Sequence, residues 1–289
     1  TPSPRKNTNP TMIPLLTIII IIIELTSSSS SSPSTTTTTS VVIVVPCYNE
    51  ANRLNITRFE SFERENEDDV SFLFVDDGST DQTFEKLKDS SLQHVMRLKR
   101  NQGKAEAVRR GMIEAMSWKD TKITGFFDAD LATPLIPTVN DFLQILKHNE
   151  NIEMVFGARV ALLGRHVKRH MSRHYLGRIF ATMASMILNL RIYDTQCGAK
   201  LFRVNKDLKS VLRKTFETDW IFDVELLARF SKLKKLEERI WEEPLKEWVD
   251  VKGSKLNVVW VGLEAIWGLG KIWWRYFCCF GGRGGNGEL

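Results

Sequence analysis

Asp128 and Asp130 stand one residue apart at the end of the apolar run Ile123–Phe127. Where the backbone turns there, both carboxylates can reach one divalent cation. A hard cation such as Mg²⁺ or Mn²⁺ prefers oxygen ligands and shares them with phosphates. It would neutralise a diphosphate leaving group. An Asp-x-Asp pair also occurs by chance and at ordinary turns, so its weight comes from its place: other polar motifs also close apolar runs. Pro46-Cys47-Tyr48-Asn49-Glu50 closes Val41–Val45. There the Tyr48 ring can stack on a base and Glu50 can accept from its N–H groups, or Asn49 caps a helix with Glu50 in its first turn. Val75-Asp76-Asp77-Gly78-Ser79-Thr80-Asp81 closes Phe72–Val75. Its paired acids can hold a base or a ribose, and Ser79 or Thr80 can cap the following helix. Doubled acids repel each other unless something binds them. Gly157-Ala158-Arg159 closes Met154–Phe156.

The runs that carry these motifs alternate with helical patterns. Strands are expected at Val41–Val45, Phe72–Val75, Val95–Leu98, Ile123–Phe127 and Met154–Phe156. Helices are expected from Gly103 to Trp118 and from Leu135 to His148. Such alternation indicates an α/β domain with a mostly parallel, doubly wound sheet flanked by helices. Its ligand belongs beyond the carboxyl ends of the strands, where the motifs fall.

Between Arg159 and Arg178 the chain gathers Arg165, His166, Lys168, Arg169, His170, Arg173 and His174. Guanidinium forks suit phosphate oxygens, which points to an anionic acceptor; a solvated basic face is the alternative. A non-catalytic protein binding nucleic acid or anionic lipid through this cluster is a third reading, although no nucleic-acid module is recognisable. The 289 residues carry a net charge of +5, which agrees with phosphate-rich partners and equally with an unspecialised basic surface. The four cysteines, Cys47, Cys197, Cys278 and Cys279, fit neither a zinc framework nor a disulfide scaffold. A reduced, cytosol-facing catalytic domain is the natural reading.

Taken in order, Val45–Glu50, Val75–Asp81, Asn101-Gln102-Gly103-Lys104, Asp128–Pro134 and Gly157–Arg159 resemble the motifs of family-2 glycosyltransferases with the Rossmann-like GT-A nucleotide-diphospho-sugar transferase fold. Asp194–Phe202, Phe222–Leu227 and Gly253–Leu256 narrow the resemblance to dolichyl-phosphate β-glucosyltransferases and related polyprenyl-phosphate enzymes. The resemblance spans about Val41 to Leu256. It implies transfer of glucose from UDP-glucose to dolichyl phosphate, for protein N-glycosylation, with Mg²⁺ or Mn²⁺ and no nucleic-acid partner. A mannosyltransferase using GDP-mannose is the nearest alternative.

Carried over by motif, Pro46, Tyr48, Glu50, Val75 and Asp77 hold the nucleoside, with Ala129 beside the nucleotide sugar. Asp128 and Asp130 hold the metal and diphosphate. Arg159 and Arg173 grip the acceptor phosphate, and Ser254 and Lys255 close over it. On this reading Asp130, Arg159 and Arg173 form the catalytic set. Asp219, Asp223 and Glu225 are candidates for sugar contacts or for helix capping. Ala158 stands where a serine is common and Ala199 where a phenylalanine is common. Ala132 stands where related mannosyltransferases can carry a metal-contacting glutamine, which leaves that place to water or donor phosphate.

The catalytic domain is expected over residues 41–256, behind an N-terminal segment of residues 1–40. That segment joins the apolar run Met12–Leu25 to a Ser/Thr-rich linker. The run covers about 21 Å as a helix, short of the ~30 Å bilayer core, so signal-like segment and short anchor both stay open. Residues 257–289 combine Trp260, Trp267, Trp273 and Trp274 with Lys271 and Arg275, which suits a headgroup interface; packing against the core is the alternative. Gly268 and Gly270 are expected to interrupt any helix there. A lipid acceptor implies a membrane partner, and the family implies the cytosolic side of the endoplasmic reticulum membrane.

Overall fold

The computed structural model describes residues 40–65, 70–91, 94–168, 171–233, 235–251 and 258–278. The apolar run Met12–Leu25, the Ser/Thr-rich stretch before Ser40, and Ser254 and Lys255 lie outside them, as do the side chains of Arg173 and His174.

Seven strands form one sheet: β1 (Ser40–Cys47), β2 (Val70–Asp76), β3 (Val95–Arg97), β4 (Thr121–Phe127), β5 (Met154–Ala158), β7 (Ala199–Arg203) and β8 (Ile240–Pro244). Their order is β3-β2-β1-β4-β7-β5-β8. All pairings are parallel except those of β7, which runs antiparallel between β4 and β5. A two-stranded parallel ribbon pairs β6 (His166–Lys168) with β9 (Glu247–Val249). β1 runs through Pro46 instead of ending there, since Pro46 pairs with Val75 only after the pairing with β4 has stopped at Val44. A proline lacks the donor for a second ladder, so it is tolerated where one side is open.

The period-2 alternation of the strands sorts the core into two layers. Val41, Ile43, Val45, Phe72 and Phe74 face helices α1 (Ile56–Glu65) and α4 (Leu135–His148), meeting Phe59, Phe62, Val139, Phe142 and Leu146. Val42, Val44, Leu73, Val75 and Phe126 face helix α3 (Lys104–Ala115) and the layer behind it. Helix α2 (Thr83–Lys88) lies between β2 and β3. Ile136 in α4 leaves helical geometry at ψ 96°, because Pro137 excludes it from the α region. Helix α5 (Met171–Leu188) precedes β7; α6 (Lys206–Leu212) and α7 (Phe222–Phe230) follow it.

Helix α8 (Val258–Tyr276) runs unbroken through Gly268 and Gly270, contrary to the interruption expected there. Gly268 is instead a point of close approach, where a Cβ would lie 2.7 Å from Ile221. Ala265, Leu269 and Ile272 pack into the core, while Ile266, Trp267, Trp273 and Trp274 face outward. The packing against the core is therefore seen on one face of this helix, and the tryptophans of the other reading lie on the opposite, exposed face. Among the described residues no helix is long and apolar enough to cross a membrane.

Candidate active site

The carboxyl ends of β2, β1 and β4 lie side by side, with that of β5 one strand further on beyond β7, so the motifs that close them converge on one edge of the sheet. Asn49 knots the first two together. Its backbone sits at φ 53°, its N–H donates to Ser79 Oγ (3.0 Å), and its Oδ1 accepts from the N–H groups of Thr80 (2.9 Å) and Asp81 (3.4 Å). It braces the neighbouring loop and is not a cap of its own helix. The Glu50 N–H donates to Thr83 Oγ1 (2.8 Å), and its carboxylate takes the Arg53 guanidinium. Burial lifts the Glu50 carboxyl above its ordinary range, Arg53 opposes the shift, and Asp130 and Asp128 add to it. Tyr48 is exposed at this rim, open to a stacking partner.

Asp77 is buried and spends both oxygens on backbone: Oδ1 accepts from Gln102 N and Oδ2 from Gly103 N, each at 2.8 Å. Asp76 accepts from Ser79 N (3.2 Å) and pairs with Arg97 (3.2 Å). The doubled acid is thus bound chiefly by the protein itself, and Asp77 shapes the Asn101–Gly103 turn before α3. The Val75 side chain lies fully inside the core, so only its backbone could meet a ligand. Pro46 is half-buried beside it, and Ala129 is buried between the two acids of the third motif.

Asp128 and Asp130 follow β4 as expected. Asp130 Oδ1 accepts from Ala132 N (3.0 Å); burial, then the neighbouring Asp128 charge, raise its carboxyl above the usual range. Lys104, the first residue of α3, reaches Asp128 Oδ1 at 2.5 Å. Desolvation pulls the ammonium down, but Asp128, Asp223 and Asp130 outweigh it and its pKa stands above the ordinary lysine value. Sequence reasoning noted the Asn-Gln-Gly-Lys run without assigning Lys104; its place one residue past a glycine turn, at the start of a helix, was the available signal. Two mutually repelling acids with one cation beside them make a fitting place for a divalent ion. No group of three or more His, Cys, Asp or Glu side chains gathers around a potential metal site among the described residues.

The antiparallel β7 brings in what the strand-end rule omits. Its amino-terminal end lies against the carboxyl ends of β4 and β5, so Asp194–Gly198 enters the site from the opposite direction. Asp128 N donates to Gly198 O (2.9 Å), and a Cβ on Gly198 would collide with the Asp128 carboxylate. Any larger residue there would have to displace the Asp128 carboxylate. Glu242 holds the turn from below, accepting from Tyr193 N (2.8 Å) and Asp194 N (2.6 Å). Arg178 donates to the Tyr193 carbonyl (2.8 Å) and stacks on its ring.

Arg159 meets this turn directly. Its Nε and Nη2 donate to Asp194 at 2.6 and 2.8 Å, its N–H donates to the same carboxylate at 3.0 Å, and its guanidinium lies 5.6 Å from the Trp248 ring centre. Burial opposes its charge and Asp194 more than offsets that, so the guanidinium stays protonated. The fork expected to grip a phosphate is therefore already engaged by a carboxylate. An Arg159→Gln protein should lose about 2–3 kcal/mol of stability without any ligand present, because the bidentate, charge-assisted pair with the largely buried Asp194 is lost. Thermal unfolding of the free protein checks this; an unchanged midpoint would show that the pair has no structural weight.

The other sequence candidates separate. Asp223 pairs with buried Lys200 (2.8 Å). Glu225 is fully buried and committed to backbone and side-chain donors. Asp219 is exposed, and its carboxylate would lie 3.3 Å from a Cβ on Gly103, at the mouth of the site. Neither buried cysteine is a nucleophile: burial pushes Cys197 up to about 11 and Cys47 well above its usual value.

Residues 42–209 match the family model for glycosyl transferase family 2. The chain is 30% identical over 258 residues to the dolichyl-phosphate beta-glucosyltransferase of Dictyostelium discoideum, covering 80% of this chain and 73% of that one. It is 30% identical over 243 residues to the Homo sapiens protein of the same name, covering 76% and 70%. Among solved structures, glucosyl-3-phosphoglycerate synthase from Mycobacterium tuberculosis, in complex with Mn²⁺, UDP-glucose and phosphoglyceric acid, superposes with a TM-score of 0.62 at 17% identity. The match covers 81% of this chain and 80% of that one. The likeness shows a shared fold, the GT-A arrangement expected from the motifs.

Proposed function

We propose that this chain, which belongs to glycosyl transferase family 2, transfers glucose from UDP-glucose to dolichyl phosphate, giving dolichyl β-D-glucosyl phosphate for N-glycosylation. The observation that carries this reading is the meeting of Asp128, Asp130 and Lys104 with the Asp194–Gly198 turn at one sheet edge. Charges that suit a nucleotide diphosphate and its metal stand there beside Arg159, whose fork is held by Asp194. The names of the curated relatives supply the sugar and the lipid.

In this reading Tyr48 stacks on the base at the rim, Glu50 accepts from it, and Pro46, Val75, Asp77 and Ala129 form the floor beneath the nucleoside. Asp77 acts by fixing the Asn101–Gly103 turn. Asp128 and Asp130 hold Mg²⁺ or Mn²⁺, which would supply charge neutralisation for the leaving diphosphate. Lys104, beside Asp128, would add a further positive charge for those phosphates. A phosphate acceptor is already ionised at neutral pH, so no strong general base is required, and positioning and charge dominate. Arg159, with Arg173, Ser254 and Lys255, is assigned to the acceptor phosphate.

The outward Trp267, Trp273 and Trp274 of α8, with Lys271 and Arg275, support contact with a membrane headgroup layer. The cytosolic face of the endoplasmic reticulum is the location that goes with such an acceptor. The test is a donor panel against dolichyl phosphate. UDP-glucose should give labelled lipid, chelation should abolish it, and added Mn²⁺ should restore it. Faster transfer from GDP-mannose would replace the sugar assignment, and no labelled lipid with any donor would overturn the reading.

A further inference from the structure

The segment Phe216–Ile221, ahead of α7, forms one wall of the cleft. Asp219 lies against Gly103, the residue that Asp77 holds and that precedes Lys104. The Trp220 carbonyl accepts from Gln196 Nε2 (3.5 Å), across from the Asp194–Gly198 turn. This wall therefore touches both the nucleotide half and the acceptor half of the site.

Two side chains of α7, one turn apart, build it. Glu225 Oε2 gathers the N–H groups of Glu217 (2.9 Å) and Thr218 (3.0 Å) and the Thr218 hydroxyl (2.9 Å). Arg229 gathers the carbonyls of Val211 (2.8 Å), Lys214 (2.7 Å) and Thr215 (2.6 Å), stacks on Phe216, and pairs with Glu225 Oε1 (2.7 Å). Tyr276, near the end of α8, closes the set: its hydroxyl donates to Glu225 Oε1 (3.0 Å) and accepts from Arg229 Nε (3.2 Å). Gly268 seats the same helix on Ile221. One face of α8 thus rests on the wall of the cleft while its other face presents Trp267, Trp273 and Trp274 outward.

Resting on the proposed transfer reaction, we infer that Glu225 and Tyr276 are positioning residues. They carry the placement of helix α8 to the Thr218–Trp220 wall and so set how tightly the nucleotide sugar is held. Neither touches the cleft itself. Tyr276 acts at a distance through a carboxylate whose five contacts come from three parts of the chain.

The test is a double-mutant cycle on the full chain, with Tyr276→Phe and Thr218→Ala, reading UDP-glucose affinity by calorimetry with Mn²⁺, and the KM for donor and acceptor in dolichyl phosphate vesicles. Thr218→Ala loses one hydrogen bond to the Glu225 carboxylate and Tyr276→Phe loses two, to Glu225 and Arg229, and each single variant should weaken UDP-glucose binding about fivefold to tenfold. The KM for dolichyl phosphate and the unfolding midpoint should hardly move. Both variants act through Glu225, so the double variant should be weakened far less than the product of the two. Multiplicative losses, an unchanged donor affinity in Tyr276→Phe, or a loss that follows the unfolding midpoint would each overturn the inference. If wild type binds UDP-glucose but glucosylates no lipid phosphate, the proposed function fails and calorimetry still decides the coupling. Absence of UDP-glucose binding by the wild type removes both.

Discussion

An Asp130→Asn protein is expected to unfold at a higher temperature than wild type at neutral pH while transferring glucose roughly a thousandfold more slowly, the loss of several kcal/mol at a tenfold factor per 1.36 kcal/mol. The rate loss follows from removing one of the two carboxylates assigned to the metal and the diphosphate. The gain in stability follows from the same geometry. Burial, then the Asp128 charge, lift the Asp130 carboxyl above its ordinary range. The native state therefore binds this proton more readily than the unfolded chain does. Stability falls as pH rises from the unfolded pKa through the native one, and the penalty is complete only above the native one. Asparagine keeps the acceptor for Ala132 N and removes the charge. Its advantage should shrink as pH drops into the range where carboxylates take up protons. Scanning calorimetry at neutral and acid pH, beside a transfer assay with Mn²⁺, checks both halves. An asparagine variant that is less stable at neutral pH would refute the repulsion argument, and one that keeps most of its activity would refute the role of Asp130.

The parts of the site legible in sequence were those governed by local rules. A parallel strand ends, its polar residues face the ligand edge, and the four strand-end motifs could be placed there from Val41–Val45, Phe72–Val75, Ile123–Phe127 and Met154–Phe156 alone. Which acid faces outward was not legible. Asp76 and Asp77 look alike in the chain, yet both turn to protein donors, because the partners, Arg97, Gln102 and Gly103, come from the end of β3 and the loop after it. β7 was missed for a similar reason. Ala199–Arg203 is short and carries Lys200 in its middle, so its run breaks the apolar pattern. Its antiparallel insertion between β4 and β5 is decided by long-range pairing. The assignment of Arg159 to a phosphate rested on residue type, whereas the engagement of its fork by Asp194 depends on a partner 35 residues away. Gly268 misled in the opposite direction: read as a helix breaker, it is the small residue that lets α8 sit on Ile221.

The lysine that hid β7 gives the second large expectation. Lys200 is fully buried, donates to the Cys197 carbonyl at 2.5 Å and lies 2.8 Å from Asp223 Oδ1, an ion pair not aligned for a hydrogen bond. The rings of Phe126 and Phe156 lie within 6 Å of its ammonium. Asp223→Ala should leave that charge with a lone carbonyl in an apolar layer, at a cost of about 3–5 kcal/mol. For a domain of this size that is a fall of roughly 10 °C in the unfolding midpoint. A Lys200→Met/Asp223→Leu double variant should recover most of the loss, since apolar residues of similar size often replace a buried pair without penalty. Its activity should not recover with it. The Lys200–Cys197 contact fixes the turn one residue before Gly198, whose backbone both accepts from Asp128 N and lies close against its carboxylate. A stable but slow double variant would mean that the buried charge is kept for the geometry of the Asp194–Gly198 turn. Full recovery of transfer together with stability would mean that the apolar layer alone can set that turn.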